Sequence, residues 1–308
     1  MTMTPMRSDV SAPRSRRQLR SERTRSSSTA KQHLLLAVLA FLGIGIMLYP
    51  SAAQWVSALH EQNALHGYAQ TQQQYSPEQK QAVLQAADDY NRSQVPGLIV
   101  DPFSNTGSAG QPTVDAEAQN YLQQLNLDAN GIMSELTIPG LNVQLPVYHG
   151  ATEDTLRKGV GHLYGSSLPV GGDSTHAVLT GHSGLPEAAM FTDLSKLHEG
   201  DRFTIDTFGR TLTYAVTSTE TVEPTDIEKL KVQQGKDLVT LVTCTPIGSN
   251  SHRLLVHAER VPNTAEAGDE GAQEVDLPGI PWAFIALVVA FLIMVVFGVR
   301  VWMVRRRS

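Results

Sequence analysis

Two uninterrupted apolar runs near the ends of the chain constrain its fold most strongly. They cover Leu34 to Ala53 and Ile280 to Val299, and each has twenty residues without a charged side chain. About twenty such residues span a bilayer as a helix. Tryptophan is common where such a helix meets the membrane surface. All three tryptophans lie at the ends of these runs, at Trp55, Trp282 and Trp302. We therefore predict two helices in the lipid bilayer.

The charge distribution orients these two runs. The net charge of −6 hides eight basic and two acidic residues in 1–33, and four arginines in 300–308. The intervening segment holds twelve basic and 28 acidic residues. Because basic flanks stay on the cytoplasmic side, both termini are expected there, with residues 54–279 outside the cytoplasm. The acidic exported segment argues against a nucleic-acid partner.

The first apolar run has a second interpretation. Its last residues, Ser51-Ala52-Ala53, are small enough for signal-peptidase cleavage after Ala53. The run is therefore either a retained transmembrane helix or a removed signal segment. In both cases the second run anchors the chain, and the central segment is exported.

Composition divides the remainder of the chain. Residues 1–33 are rich in Arg, Ser and Thr, which predicts a disordered tail. Ser76 before Pro77 is typical of a helix start. The predicted segments are a basic cytoplasmic tail (1–33), a transmembrane helix or signal (34–53), N-terminal helices (54–130) with a loop at about 91–113, a β-rich domain (131–262), an acidic linker (263–279), a transmembrane helix (280–299) and a basic cytoplasmic tail (300–308).

The β-rich domain alternates short apolar runs with turn residues, a pattern typical of an all-β barrel or sandwich. The predicted strands are Ile132–Ile138, Leu145–Tyr148, His176–Thr180, Arg202–Thr207, Thr211–Val222, Leu238–Cys244 and Arg253–Val261.

The lone cysteine, Cys244, ends one of these strands. With one cysteine the chain has no internal disulfide and no Cys-rich zinc site. Its ordinary interpretation is a small buried hydrophobe. However, an unpaired thiol is unusual in an exported chain, because oxidation threatens it. A loop over 245–252 would return Arg253 beside Cys244, where its permanent charge can stabilise a thiolate or an oxyanion.

His182 is the candidate acid–base partner among ten histidines. It lies in Thr180-Gly-His-Ser-Gly-Leu-Pro186, where a strand enters a glycine-flanked polar turn. A single histidine in a β-protein is more often a surface or structural residue. Cys, His and Arg at strand ends together indicate thiol-based acyl transfer.

Several motifs resemble one family. Thr240-Leu-Val-Thr-Cys244 resembles the TLxTC signature of sortases, the cysteine transpeptidases of Gram-positive cell surfaces. The class C, pilin-polymerising branch is similar at about residues 75–262, in the stretches Leu145–Gly150, Gly159–Leu163, Ser167–Gly172, Thr180–Pro186 and Cys244–Val256. The resemblance implies a closed β-barrel of about eight strands with N-terminal helices and a lid loop. Ser183 follows His182 at the position where many relatives carry Arg; we expect little effect on the chemistry but altered substrate contacts.

The predicted loop contains Asp101-Pro102-Phe103. Class C sortases carry an Asp-Pro-aromatic lid motif, and this tripeptide is similar to it. The resemblance implies that Asp101 pairs with Arg253 while Phe103 packs over the sulfur of Cys244. Outside this family context, the tripeptide is an ordinary Asp-Pro turn.

The resemblance also implies a reaction. Cys244 attacks the Thr–Gly bond of an LPxTG-like signal, Arg253 holds the oxyanion, and His182 moves the protons. A pilin lysine then accepts the acyl group. Thr243 is expected to orient the site or the substrate, or to serve as an ordinary strand residue. We expect no cofactor and no metal.

Two other functions are compatible with parts of this pattern. A housekeeping sortase would use a cell-wall precursor amine in place of the pilin lysine. A cell-surface adhesin or binding protein would share the C-terminal apolar run with its Arg tail. However, the preceding Asp276-Leu-Pro-Gly-Ile-Pro281 lacks the Thr-Gly of a sorting signal.

Overall fold

Two long helices carry the apolar runs. The computed structural model describes residues 16–93, 116–126, 131–263 and 282–307. Helix α1 covers Arg16–Gln73 and the last helix, α5, covers Trp282–Arg307. Both are long and apolar enough to cross a membrane, within Leu35–Gln73 and Trp282–Arg300. These helices agree with the two predicted spans.

The N-terminal tail differs from its prediction. Residues 16–33 belong to α1, so the expectation of disorder is wrong for this part of the tail. This segment contains Arg, Gln, Leu, Glu and Ala, which favour helix, and adding a residue to an existing helix avoids the cost of nucleation.

The chain divides into two units. The first consists of the residues up to Pro50 together with α5, and within it the rings of Phe41 and Phe291 are 5.4 Å apart. The second begins at Ser51 and contains the remaining helices and the whole β-sheet.

The second unit begins with helical segments. Helix α2 covers Pro77–Ser93 and helix α3 covers Ala116–Gln123. At the start of α2 the Ser76 hydroxyl accepts from the Gln79 backbone N–H at 3.3 Å, and the Gln79 side chain accepts from the Ser76 N–H at 2.8 Å. This reciprocal pair is a capping box, so the predicted helix start at Ser76-Pro77 is confirmed.

Eight strands form a closed barrel, in the order β1-β2-β3-β4-β7-β8-β6-β5. Strands β2/β3 and β4/β7 are parallel pairs, and the other neighbours are antiparallel. The closed barrel expected from the resemblance is therefore confirmed. The strands are β1 (Ile132–Ile138), β2 (Val143–His149), β3 (Val160–His162), β4 (Thr175–Thr180), β5 (Arg202–Thr207), β6 (Arg210–Val222), β7 (Asp237–Thr245) and β8 (His252–Val261).

Strand β3 was not predicted, because three residues are too few to show alternation. Its His162 is fully buried, with Nδ1 2.9 Å from the Tyr121 hydroxyl of α3 and Nε2 2.8 Å from the Ser167 carbonyl. Burial lowers the pKa of His162 to about 4, so the imidazole is neutral at physiological pH. The histidine of the Gly159–Leu163 motif thus has a structural role, holding α3 on the barrel.

Candidate active site

Cys244 and Arg253 lie opposite each other on neighbouring strands. They are Cα partners in the antiparallel ladder of β7 and β8, as the nine-residue spacing predicted. Each is only 7% exposed. Cross-strand partners have Cβ atoms about 5 Å apart. The register therefore brings the thiol and the guanidinium to the same end of the sheet.

The loop between β7 and β8 fixes the Arg253 guanidinium. Its Nη1 donates to the carbonyls of Asn250 and His252, both at 3.0 Å. Asn250 has a φ of +53°, a left-handed conformation that Asn tolerates better than most residues. The Asn250 N–H donates to the Pro246 carbonyl at 2.9 Å, which closes the loop. Arg253 is thus held in place beside Cys244.

His182 follows the end of β4, which runs parallel to β7. The Gly181 N–H donates to the Val242 carbonyl at 3.1 Å, and the His182 carbonyl accepts from the Phe191 N–H at 2.9 Å. A side chain at Gly181 would approach the Phe191 ring to 2.9 Å, so a residue without Cβ is needed there. The turn therefore brings His182 alongside the end of β7.

Two hydroxyl groups tie this turn to the cysteine strand. The Thr243 hydroxyl donates to the Gly181 carbonyl at 2.7 Å, and the Ser183 hydroxyl donates to the Cys244 carbonyl at 2.6 Å. These bonds bracket His182 and Cys244 and continue the pairing of the two strands beyond Thr180. Because side chains alternate along a strand, Thr243 points to the opposite face from Cys244.

Glu153 is a neighbour of His182 that the sequence did not reveal. Its Oε2 lies 3.3 Å from His182 Nε2, and its Oε1 accepts from Arg157 Nε at 2.9 Å. The hydrogen bond from Arg157 lowers the pKa of Glu153, so the carboxylate is charged at neutral pH. Glu153 begins the short helix α4, Glu153–Leu156, whose Leu156 is buried. An acidic first turn is common in surface helices, so sequence gives no signal of this contact.

One face of β4, β7 and β8 carries the site, and we call it the site face. Val242 and Leu255 belong to a small apolar cluster on this face, whereas Val239 and Leu241 belong to the main core. Residues two apart share a face, so Cys244 and Arg253 lie on the site face. From one end to the other, its cross-strand pairs on β7 and β8 are Thr240 with His257, Val242 with Leu255 and Cys244 with Arg253.

The structure does not describe the predicted lid tripeptide. Asp101, Pro102 and Phe103 fall outside the described residues. Among the residues that the structure describes, no group of three or more His, Cys, Asp or Glu side chains could hold a metal ion.

Comparisons with known proteins place this geometry among relatives. A family model described as Sortase domain matches residues 136–261. The structure of sortase C-1 from Actinomyces oris is 44% identical, covers 59% of this chain and 99% of its own chain, and has a TM-score of 0.55. A Streptococcus pneumoniae sortase C structure, described as informing catalysis and pilin substrate specificity, is 37% identical, with 65% and 97% coverage and a TM-score of 0.58. A lid mutant of sortase A from Corynebacterium diphtheriae is 41% identical, with 63% and 100% coverage and a TM-score of 0.56.

Proposed function

We propose, on the premise that this chain belongs to the sortase family of cysteine transpeptidases, that it is a membrane-anchored sortase that polymerises pilins. The observation that carries the catalytic assignment is the pairing of Cys244 with Arg253, with His182 held beside them by Gly181 and Ser183. The pilin assignment is supported by similarity to sortase C proteins, one of which is described in terms of pilin substrates.

In the proposed first half-reaction, the thiolate sulfur of Cys244 attacks the Thr carbonyl carbon of an LPxTG-like signal. A C–S bond forms, and the carbonyl oxygen becomes an oxyanion that the Arg253 guanidinium stabilises. His182 gives its proton to the Gly nitrogen as the Thr–Gly C–N bond breaks. A thioester on Cys244 and a free glycyl amine result.

In the second half-reaction, a pilin lysine amine attacks the thioester carbonyl. His182 removes a proton from the attacking nitrogen, and Cys244 leaves as a thiolate. The product is an isopeptide bond between the sorting-signal Thr and the lysine. The thiolate and protonated imidazole are thereby restored for the next cycle.

Glu153 is assigned a supporting role in this cycle. Its carboxylate contacts Nε2 of His182 and leaves Nδ1 as the nitrogen for proton exchange. Exposed ion pairs are worth up to about 1 kcal/mol, so Glu153→Gln should lower kcat/KM for an LPxTG peptide up to about fivefold. The loss should shrink at high salt. Asp154→Asn, an exposed neighbour in α4, is the matched control; equal effects of the two variants would contradict the assignment.

We also propose that Asp101, Pro102 and Phe103 form a lid over Cys244. A neighbour described as a lid mutant supports lids in related sortases. Asp101→Ala or Phe103→Ala should speed labelling of Cys244 by a thiol reagent, because the lid would cover the sulfur. Cys244 is the chain's single cysteine, so labelling reports this site alone. Ser104→Ala is the matched control, and unchanged labelling in both lid variants would rule out the lid.

The membrane anchors would hold the enzyme close to its substrates. With the barrel outside the membrane and both termini in the cytoplasm, the enzyme and its membrane-bound pilin precursors would share one surface. Confinement to a surface raises their effective concentration. This topology applies to a retained first helix, and cleavage after Ala53 would leave α5 as the anchor.

The pilus experiment compares cells that make the wild-type chain with cells that make Cys244→Ala. We expect covalent, high-molecular-weight pilin ladders in the first and none in the second. Wall-anchored pilin monomers without ladders in wild-type cells would favour the housekeeping sortase instead.

A further inference from the structure

Thr240, the first residue of the TLxTC signature, joins two histidines on the site face. Its hydroxyl oxygen lies 2.7 Å from His176 Nε2 and 2.8 Å from His257 Nδ1. His176 Nδ1 lies 3.0 Å from the Lys231 carbonyl, and His257 Nε2 lies 3.0 Å from Glu220 Oε1. His176 and Thr240 are buried. The four contacts form one continuous chain, which we call the Thr240 network.

The network holds the β6–β7 loop, residues 223–236, against the site face. Lys231 belongs to this loop, and so does Lys229, whose Nζ is 3.3 Å from Glu220 Oε2. Ile227 and Leu230 of the loop pack with the small apolar cluster that contains Val242. The loop leaves β6 after Val222, the Cα partner of Arg253. Its position therefore shapes the space next to Arg253 and Cys244.

The protonation states of the network follow from burial and charge. Burial lowers the pKa of His176 to about 4 and also lowers the pKa of His257, so both rings are neutral at pH 8. Burial acts to raise the pKa of Glu220, but contacts with His257 and Lys229 outweigh it and lower the pKa. Glu220 is thus an ionised acceptor. A surface pocket borders the network, and its other charged lining residues include Glu228, Lys236 and Glu259.

The network has fewer N–H and O–H hydrogens than it has contacts. Its two ends, the Lys231 carbonyl and the Glu220 carboxylate, can only accept. Four contacts between them need four hydrogens, but two neutral imidazoles and one hydroxyl supply three. One contact must therefore join two acceptors. If the loop moves and the Lys231 contact opens, three contacts remain for three hydrogens.

We propose that Thr240, His176 and His257 are positioning residues that hold the β6–β7 loop in place as a wall of the sorting-peptide site. Because one hydrogen is missing, the network holds the loop only weakly. Loop movement relieves the mismatch, so the wall can open for the peptide and close again. The peptide-binding part rests on the proposed function, whereas the hold on the loop does not.

The test uses Glu220→Gln in the full chain in detergent micelles at pH 8. The glutamine amide donates to His257 Nε2 and supplies the fourth hydrogen, while its oxygen still accepts from Lys229. One hydrogen bond changes the equilibrium constant for loop opening about fivefold, so backbone amide hydrogen exchange in residues 223–236 should slow about fivefold. Glu199→Gln removes an exposed carboxylate outside both the network and the loop, and it should leave exchange unchanged. Unchanged or faster exchange in Glu220→Gln overturns the missing-hydrogen argument.

Thr240→Val and Thr240→Ser test the positioning role. Valine breaks the network, so loop exchange should speed up and KM for an LPxTG peptide should rise about fivefold, with kcat nearly unchanged. Serine keeps the hydroxyl and should restore both values. Wild-type loop exchange in a folded Thr240→Val, or failure of serine to restore it, overturns the positioning role. If Thr240→Val does not fold, the Glu220→Gln and Thr240→Ser results decide alone. Altered loop exchange with no turnover of any sorting peptide would refute the proposed function and leave the network standing.

Discussion

Replacing Cys244 with alanine should reduce cleavage of an LPxTG peptide at least about 10⁴-fold, because no other group can form the thioester. The chain has no second cysteine to substitute for the lost thiol. The measurement is release of the glycyl fragment by the purified full chain. Cys244 lies at the end of a buried strand, and alanine is close to it in size, so the fold should persist.

Peptide binding provides the control for the cysteine variant. Since the thiol acts in the chemical step, Cys244→Ala should bind the sorting peptide with a Kd close to that of the wild type. Cleavage at the wild-type rate would refute the mechanism. Loss of binding together with cleavage would point to a structural role for the cysteine.

The second large effect is expected at His182. Proton transfer by a positioned side chain contributes about 10²- to 10⁴-fold, so His182→Gln should lower kcat for the peptide by that factor. The amine leaving group departs poorly without a proton. An otherwise identical substrate with a thioester at the scissile bond does not need that proton, and its acylation should fall less than about tenfold.

His198→Gln is the matched control for the histidine variant. The His198 side chain is 84% exposed and contacts Asp201, so its loss should leave both substrates unaffected. An equal loss on the amide and thioester substrates in His182→Gln would contradict the general-acid role. It would indicate instead that His182 maintains the Cys244 thiolate.

Much of the barrel could be predicted because its local patterns are strong. Strands β1 and β5 have the predicted bounds, since alternating apolar residues and turn residues mark both ends. The pairing of Cys244 with Arg253 followed from two strands joined by a short loop, where sequence spacing sets the register. The membrane spans followed from length and apolar composition alone.

The missed features depend on contacts between distant parts of the chain. The sequence indicated His182 itself, but its position beside the end of β7 depends on the parallel pairing of β4 and β7, which no local pattern reveals. The ring of His182 meets Glu153 through the placement of α4 on the barrel. The Thr240 network draws on three strands and a loop, so its members are separated in sequence although they lie in contact.

The proposed mechanism requires that Cys244 carries an acyl group from the sorting signal to a pilin lysine. Its most direct test is mass spectrometry of the full chain mixed with an LPxTG peptide, followed by addition of a pilin domain with an acceptor lysine. We predict an adduct of the peptide fragment ending in Thr, mapped to Cys244, that disappears as an isopeptide-linked pilin forms. Cleavage with no adduct, an adduct on another residue, or an adduct that water releases but the lysine does not would contradict the claim.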